Sequence, residues 1–478
     1  MLLEPFLSQC RLQPGAMALE ENGLSLSYAA LLERAQSMAH GLQAIGVMPG
    51  HRVAIHLERG LDAVAALFGT LLAGACYVPL DLKNPPPRMA FIVNDAQAST
   101  VVGKGSHPQW LTAGKWLDMT DCPTRPPSLV QTEPQALAAI LYTSGSTGKP
   151  KGVALSHAAV AAFAEWAADL LDVRSIDRIA SSAPFFFDLS TFDLYAVLGR
   201  GASLHFLPSS LTLAPARLSA WLKEQAITGW YTLPSLLAFL AYKGNLAHTP
   251  LPDLRFLIFA GEVFPAPALA GLAASLPDTA LYNFFGPTET NVCCHWEVGR
   301  GHLNPSQPIP IGFPAAGDEL HIEESSGELW VRGPSLACGY WSEGRLHGFL
   351  NEAGWYPTGD RVSRNEKGEY LFHGRLGRML KCSGYRVEPA EIEAVVSALP
   401  GVNACAVVGI DDSTAGQRPA MMMELASTLS LAELRQTLLR QLPAYMQACR
   451  YRVVDALPRL PNGKLDYQRI RKLMETHE

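Results

Sequence analysis

The chain has 478 residues, 48% of them apolar, with 40 Gly and 35 Pro. That is more than one hydrophobic core usually serves, and it suits a turn-rich α/β enzyme of two or three domains. The formal charge of −6 disfavours nucleic acid or an anionic membrane as the main partner. The nine Cys show no C-x-x-C spacing and no apolar run reaches the roughly 18 residues that cross a bilayer, so a disulfide framework, a zinc site and a membrane span are not expected.

The start, "MLLEPFLSQCRLQPG", has an early Glu, a Pro and no basic stretch, so no signal peptide is expected and the protein is placed in the cytoplasm. "LSYAALLERAQSMAHGLQAIG" carries apolar residues at helical spacing and stops at Gly46. "HRVAIHL" reads as a strand, "GLDAVAALFGTLLAGA" as a helix and "CYVPLD" as another strand. "TVVGKG" and "LAAILYTSG" continue the rhythm. Such alternation predicts wound α/β layers, whose ligands sit at the carboxyl ends of the strands. From about Pro308, "GELWVRGPSLACGYW" and "GEYLFHGRLGRMLKCSGYRVE" alternate in strand fashion, which predicts a β-rich unit. A helix near Pro389, a strand "ACAVVGI", a helix near "LAELRQTLLRQL" and a basic tail then predict a compact α+β unit. The expected division is residues 1–376 as a large N-terminal domain and 377–478 as a smaller C-terminal one. The adjacent pair Cys293 and Cys294 is expected to be buried and reduced.

"LYTSGSTGKPKGV", residues 141–153, is dense in hydroxyls, bare backbone and positive charge. Consecutive amides in a Gly turn make an anion-binding concavity, hydroxyls add rotatable donors, and Lys149 and Lys151 add charge. The chemistry asked for is contact with a polyphosphate. It is not a Walker A loop, because Pro150 stands where the second Gly should be.

"YTSGSTGKPKG" resembles the phosphate-loop signature of the adenylate-forming superfamily of acyl-CoA ligases, luciferases and adenylation domains of nonribosomal peptide synthetases. "LLAGACYVPLD" (71–81), "FFDLS" (186–190), "NFFGPTET" (283–290), "GELWVRG" with "ACGYW" (327–341), "YPTGD" (356–360), "GRLGRMLKCSGYRVEPAEIE" (374–393), "LPAYM" (442–446) and "NGKLD" (462–466) occur in the family's order and cover nearly the whole chain. The resemblance implies a two-step reaction. A carboxylate attacks the α-phosphate of Mg-ATP to give an acyl-adenylate and pyrophosphate, and a thiol then takes the acyl group. It further implies that Thr143, Ser144, Gly145, Ser146, Thr147, Gly148 and Lys149 cradle the β- and γ-phosphates. Lys464 matches the catalytic lysine bridging carboxylate and α-phosphate, Glu289 the Mg²⁺-associated carboxylate, and Thr288 a phosphate contact. Phe285 would stack on adenine, Asp360 would hold the ribose hydroxyls, and Arg375 would reach ribose or phosphate. The C-terminal domain would be mobile between the half-reactions. Its hinge position, normally Asp or Lys, is Gly377 here. Gly384 would sit by the pantetheine tunnel or simply form a turn.

An Asp within the apolar run of "FFDLS" is costly unless paired, and Asp188 matches the residue that holds the α-ammonium group in amino-acid-activating relatives. The matching pocket positions are Asp188, Leu189, Phe192, Thr232, Ile258, Ala260, Phe284, Val292, Cys293 and Lys464. Apart from the charged ends this lining is apolar, so a small aliphatic side chain is expected. The pattern resembles that of stand-alone prolyl carrier-protein ligases, from which Thr232, Ile258 and Phe284 depart. The expected activity is ATP-dependent activation of L-proline and its transfer to the phosphopantetheine thiol of a separate carrier protein. Alanine or another small amino acid, or a small acid transferred to CoA, are the alternatives. ATP and Mg²⁺ are the expected cofactors.

Overall fold

A computed structural model of the chain describes residues 2–112, 114–123, 125, 127–128, 130–145, 148–299, 308–412, 416–426, 429–460 and 465–476. The chain divides into two compact units. One comprises Met1–Asp81, Val93–Leu141 and Gly152–Gly374; the other comprises Leu82–Ile92, Tyr142–Lys151 and Arg375–Glu478. Among the described residues no helix is long and apolar enough to cross a membrane.

The alternation read from the first third of the chain is present. Strands Arg52–Ile55, Cys76–Pro79, Ala98–Gly103 and Lys115–Asp118 run parallel in an eight-stranded sheet of the described residues. Helices Tyr28–Ala44 and Leu61–Leu72 accompany them. The first helix starts where Ser27 Oγ accepts the Ala30 N–H at 3.2 Å, satisfying one of the orphan amides of its first turn. Apart from Asp62 in its first turn and Thr70, the second is apolar and almost wholly buried, as a helix packed on several sides must be.

A sheet of thirteen described strands holds the centre of the first unit. Strands Arg178–Ser181, Gly229–Thr232, Phe256–Phe259 and Ala280–Phe285 are adjacent and parallel. Their near-continuous apolar runs reflect burial on both faces. One face meets Phe192, Leu189 and Val292. The other packs Trp230, Leu257, Phe259 and Leu281 against Leu218, Leu237, Leu240 and Leu272 of the flanking helices. Strands Pro310–Pro314, Glu319–Ile322, Glu328–Arg332, Tyr356–Arg364 and Tyr370–Arg375 of the β-rich stretch continue this same sheet, while Gly339–Ser342 and Arg345–His347 join the eight-stranded sheet beside Lys151–Ser156. Cys294 pairs with Pro314 and His295 with Phe313, and Ile311, Leu329, Val331, Val362 and Tyr370 share its core.

In the second unit, strands Val402–Asp412 and Gly416–Leu425 form a long antiparallel hairpin, and Arg450–Val453 adds in parallel. Alternation splits its side chains between two cores. Val407, Met421 and Met423 meet Ile392, Val396, Leu434 and Leu438, while Ala406, Val408, Ala420 and Met422 meet Leu457, Ile470 and Met474. Ser430 and Glu433 close a capping box on the helix Leu431–Gln441. Leu380–Cys382 and Tyr385–Val387 form a tight hairpin whose turn residues, Ser383 and Gly384, have φ of +50° and +81°, the type I′ geometry that matches strand twist.

Segments Leu82–Ile92 and Tyr142–Lys151 belong to this unit through specific contacts. Arg88 pairs with Glu391, their side chains only 9% and 3% exposed, and the Ser144 hydroxyl donates to the Arg386 carbonyl. Gly148, at φ +86°, lies so close to Ala394 that a Cβ would stand 2.7 Å from the alanine's own. Gly377 is exposed, and a Cβ there would meet nothing within 4 Å.

Candidate active site

The apolar run "LAAIL" becomes strand Leu137–Thr143, and the chain returns through Lys151–Ser156, its neighbour in the sheet. Thr143, Ser144, Gly145, Gly148 and Lys149 lie between or at the ends of these strands; Ser146 and Thr147 fall outside the described residues. The Gly148 N–H donates to the Gly145 carbonyl at 3.1 Å, closing a turn. Ser144 and Gly145 are buried and Lys149 is exposed. Burial pushes the Glu391 carboxyl up, against the Arg88 guanidinium and the Gly145 amide, which hold it down. Arg375 ends strand Tyr370–Arg375 and is half-buried, while Lys464 lies outside the described residues.

In the first unit, residues distant in sequence converge at the carboxyl ends of the parallel strands, where open α/β sheets bind ligands. After Phe187 the chain makes consecutive turns: Ser190 N–H donates to the Phe187 carbonyl and Thr191 N–H to that of Asp188. The Thr191 hydroxyl donates to the Asp188 carbonyl at 2.6 Å and accepts from Asn291 Nδ2 at 2.8 Å. The Asp188 turn is thereby tied to the loop following strand Ala280–Phe285. Asp188 is half-buried; Leu189, Phe192, Ile258, Ala260, Phe284 and Val292 are buried in one apolar cluster. Trp166 backs Phe284, with ring centroids 5.2 Å apart. Thr232 accepts from the Ser182 hydroxyl at 3.0 Å, and Ser182 accepts from Trp230 Nε1 at 2.9 Å. Cys293 and Cys294 are fully buried, and burial drives the Cys294 thiol far above its usual range. Among the described residues no disulfide joins the nine cysteines.

The loop after Phe285 turns back on itself, Thr290 N–H donating to the Pro287 carbonyl at 2.9 Å. Thr288 is half-buried and Glu289 fully buried. Tyr340 donates its hydroxyl to Glu289 Oε1 at 2.7 Å and lies 3.3 Å from the Tyr356 hydroxyl. Phe285 packs against Phe372 at 5.4 Å. Asp360 is buried, its N–H donating to the Thr358 hydroxyl at 3.0 Å. Among the described residues no cluster of three His, Cys, Asp or Glu stands ready to hold a metal. A buried carboxylate oxygen such as that of Glu289 is the donor type that would suit Mg²⁺.

Three neighbours of this constellation were not singled out from the sequence. Tyr340 positions Glu289 from 51 residues away, which no local pattern signals. Tyr231 lies edge-on to both Phe192 and Phe284, at 5.7 Å in each case. Asp193 is the second residue of the π-helical turn Phe192–Val197 and is fully buried; such turns are frequent at functional sites. The triplet Phe-Asp-Leu occurs twice, at 187–189 and 192–194, so the cost of a carboxylate in an apolar run marked Asp193 as plainly as Asp188. Arg59 lies near it, donating to the Leu207 carbonyl at 2.7 Å and to that of Ser181.

Burial raises the Asp193 carboxyl from 3.8 to about 7, opposed by the Ser181 hydroxyl and the charge of Arg59. Between about pH 4 and 7 the folded chain keeps a proton here that the unfolded chain has released, so the stability from this group falls as pH rises and is flat above. The variant Asp193→Asn has no such slope. Its melting temperature relative to the parent is expected to rise from pH 5 to pH 8, as read by calorimetry at the two values.

Comparison with known proteins bears on the whole chain. Residues 6–341 match the model described as AMP-binding enzyme, and residues 391–464 match the AMP-binding enzyme C-terminal domain. An L-proline–[L-prolyl-carrier protein] ligase of Pseudomonas fluorescens is 34% identical, covering 98% of both chains. One of Streptomyces coelicolor is 37% identical, covering 93% of this chain and 91% of its own. The o-succinylbenzoate CoA synthetase of Bacillus subtilis, 22% identical, shares the fold with a TM-score of 0.86 over 98% of both chains.

Proposed function

Because the chain belongs to the AMP-binding enzyme family, we propose that it is an AMP-forming ligase that activates L-proline and passes it to the phosphopantetheine thiol of a separate carrier protein. What carries this reading is Asp188, a half-buried carboxylate at the strand ends beside Leu189, Phe192, Ile258, Ala260, Phe284 and Val292. One anion in an apolar setting suits an ammonium group attached to a small hydrocarbon. The two prolyl ligases, similar along nearly their whole length, support the same substrate.

In the first step a carboxylate oxygen of proline attacks the α-phosphorus of ATP. The bond to the bridging oxygen breaks, and pyrophosphate leaves with its electron pair. Two anions must meet, so orientation and preorganised positive charge matter more than a nucleophilic side chain. Asp188 orients the amino acid through its ammonium group, and Lys464 bridges the two reacting anions. The loop from Thr143 to Lys149, with Ser146 and Thr147, offers amides, hydroxyls and charge to the β- and γ-phosphates. Thr288 contacts phosphate, Phe285 stacks on adenine, Asp360 holds the ribose hydroxyls, and Arg375 reaches ribose or phosphate. Glu289, oriented by Tyr340, would hold Mg²⁺, which supplies charge neutralisation at the phosphates. In the second step the carrier's thiol attacks the prolyl carbonyl, the acyl–phosphate bond breaks and AMP departs. Residues 1–376 bind the substrates, residues 377–478 move between the steps, and the work is done in the cytoplasm.

The experiment is amino-acid-dependent ATP–pyrophosphate exchange across the proteinogenic amino acids, D-alanine and short fatty acids, followed by mass analysis of a loaded carrier protein. A dominant proline signal and a prolyl mass increment on the carrier are expected. Exchange with alanine alone would keep the chemistry and discard proline; exchange with fatty acids alone would overturn the role of Asp188.

A further inference from the structure

Residues 335–340 bridge the two large sheets. Strand Gly339–Ser342 pairs antiparallel with Lys151–Ser156 of the eight-stranded sheet, Tyr340 opposite Val153. Just before it, the Cys338 N–H donates to the Ala154 carbonyl at 2.8 Å. The residues leading into this strand grip the loop that follows Ala280–Phe285 in the thirteen-stranded sheet. The Ala337 N–H donates to the Glu289 carbonyl at 2.8 Å. The Ser335 hydroxyl reaches the Thr290 carbonyl at 2.9 Å and the Asp318 carboxylate, which also accepts the Ser335 N–H at 3.3 Å. Tyr340 then returns its hydroxyl to Glu289 Oε1 at 2.7 Å. Glu289 is thus held twice, by its main chain and by its carboxylate. Phe349 packs on the rings of both Tyr340 and Tyr356, at 5.3 and 4.7 Å, and so fixes the direction of the Tyr340 hydroxyl. Ser335, Asp318, Glu289 and Thr290 are all buried, where a satisfied polar network specifies geometry closely.

We propose that residues 335–340 are a clamp that holds the Glu289 carboxylate in position for Mg²⁺, with Ser335 and Tyr340 as its positioning residues. A hydroxyl that donates to one carboxylate oxygen fixes the plane of the group, and a metal site depends on such outer partners as well as on its ligands. Tyr340 acts on the carboxylate itself. Ser335 acts one step further back, on the main chain that carries it. This rests on the reading of Glu289 as the metal carboxylate.

The test is binding of Mn²⁺, as a probe for Mg²⁺, to the full chain in the presence of α,β-methylene-ATP, whose α–β bridge does not break. Electron paramagnetic resonance reads the metal, and calorimetry reads nucleotide affinity in EDTA and the melting temperature. The parent is compared with Glu289→Gln, Tyr340→Phe and Ser335→Ala. Losing an outer partner of a metal ligand typically costs about 10- to 100-fold in metal affinity. Tyr340→Phe, which keeps the ring against Phe349, is expected to raise the Kd for Mn²⁺ by that much, and Ser335→Ala by about tenfold. Nucleotide affinity in EDTA is expected to stay at the parent's value in both. If Glu289→Gln weakens Mn²⁺ binding while Tyr340→Phe and Ser335→Ala do not, the clamp is overturned and the role of Glu289 stands. If Glu289→Gln binds Mn²⁺ as the parent does, the metal is not held there and both readings fall. A merely structural role would lower the melting temperature and the metal-free nucleotide affinity along with metal binding, and that result also overturns the proposal. Should Tyr340→Phe fail to fold, Ser335→Ala reads the same constant.

Discussion

Asp188→Ala is expected to lower kcat/KM for proline by about 30- to 5,000-fold while the KM for ATP stays unchanged. Truncating one partner of a desolvated charge pair costs about 2–5 kcal/mol, which converts to that range at about 1.4 kcal/mol per tenfold. Much of the loss is the cost of seating an ammonium group against Leu189, Phe192 and Phe284 with no counter-charge. Pairing proline with cyclopentanecarboxylate, its carbocyclic analogue, sharpens the measurement. The parent should reject the acid lacking nitrogen, because Asp188 would then face a ring CH₂ in place of the ammonium group. The alanine variant should discriminate far less between the two. A variant that still prefers proline by the parent's margin would place the ammonium elsewhere.

Lys464→Ala is expected to cost about 10²–10³ in the kcat of adenylation, the usual loss when one preorganised group facing developing charge is removed. Transfer from presynthesised prolyl-AMP to the carrier should change little, since the α-phosphate then leaves and is not attacked. Rapid-quench measurement of each half-reaction separates the two. Equal loss in both would remove Lys464 from the role assigned to it.

What could be read from sequence was what local chemistry decides. Period-two and period-3.6 patterns placed the strands and helices of the first third, and the two-residue turn at Ser383 and Gly384 follows from its residues. A charge in an apolar run marked Asp188. The rest depends on pairs far apart. Nothing near Ser144 announces Arg386, 242 residues on, nor does the sequence around Arg88 announce Glu391, 303 residues away. Those contacts group two early segments with the C-terminal residues, and no composition shift marks them. The stretch from Pro308 was legible as strands, but its continuity with the parallel sheet needed the pairing of Cys294 with Pro314. Tyr231 was obscured because a single strand gives the alternation without saying which face is which.

The sheet from Arg178 to Phe285 also bears on how such a protein changes over generations. Its strands are joined by backbone hydrogen bonds that are indifferent to side-chain identity, and its far face is anchored by Trp230, Leu257, Phe259 and Leu281. The near face belongs to an apolar cluster of its own, with Leu189, Phe192 and Val292, and carries the positions expected to meet the amino acid. Substitutions at Ile258, Ala260 or Phe284 alter the expected amino-acid pocket while the hydrogen-bonded frame beneath persists. A descendant lineage can exchange one amino acid for another by a few codon changes, each intermediate still folded, and the selectivity of the chain is far easier to redirect than its chemistry.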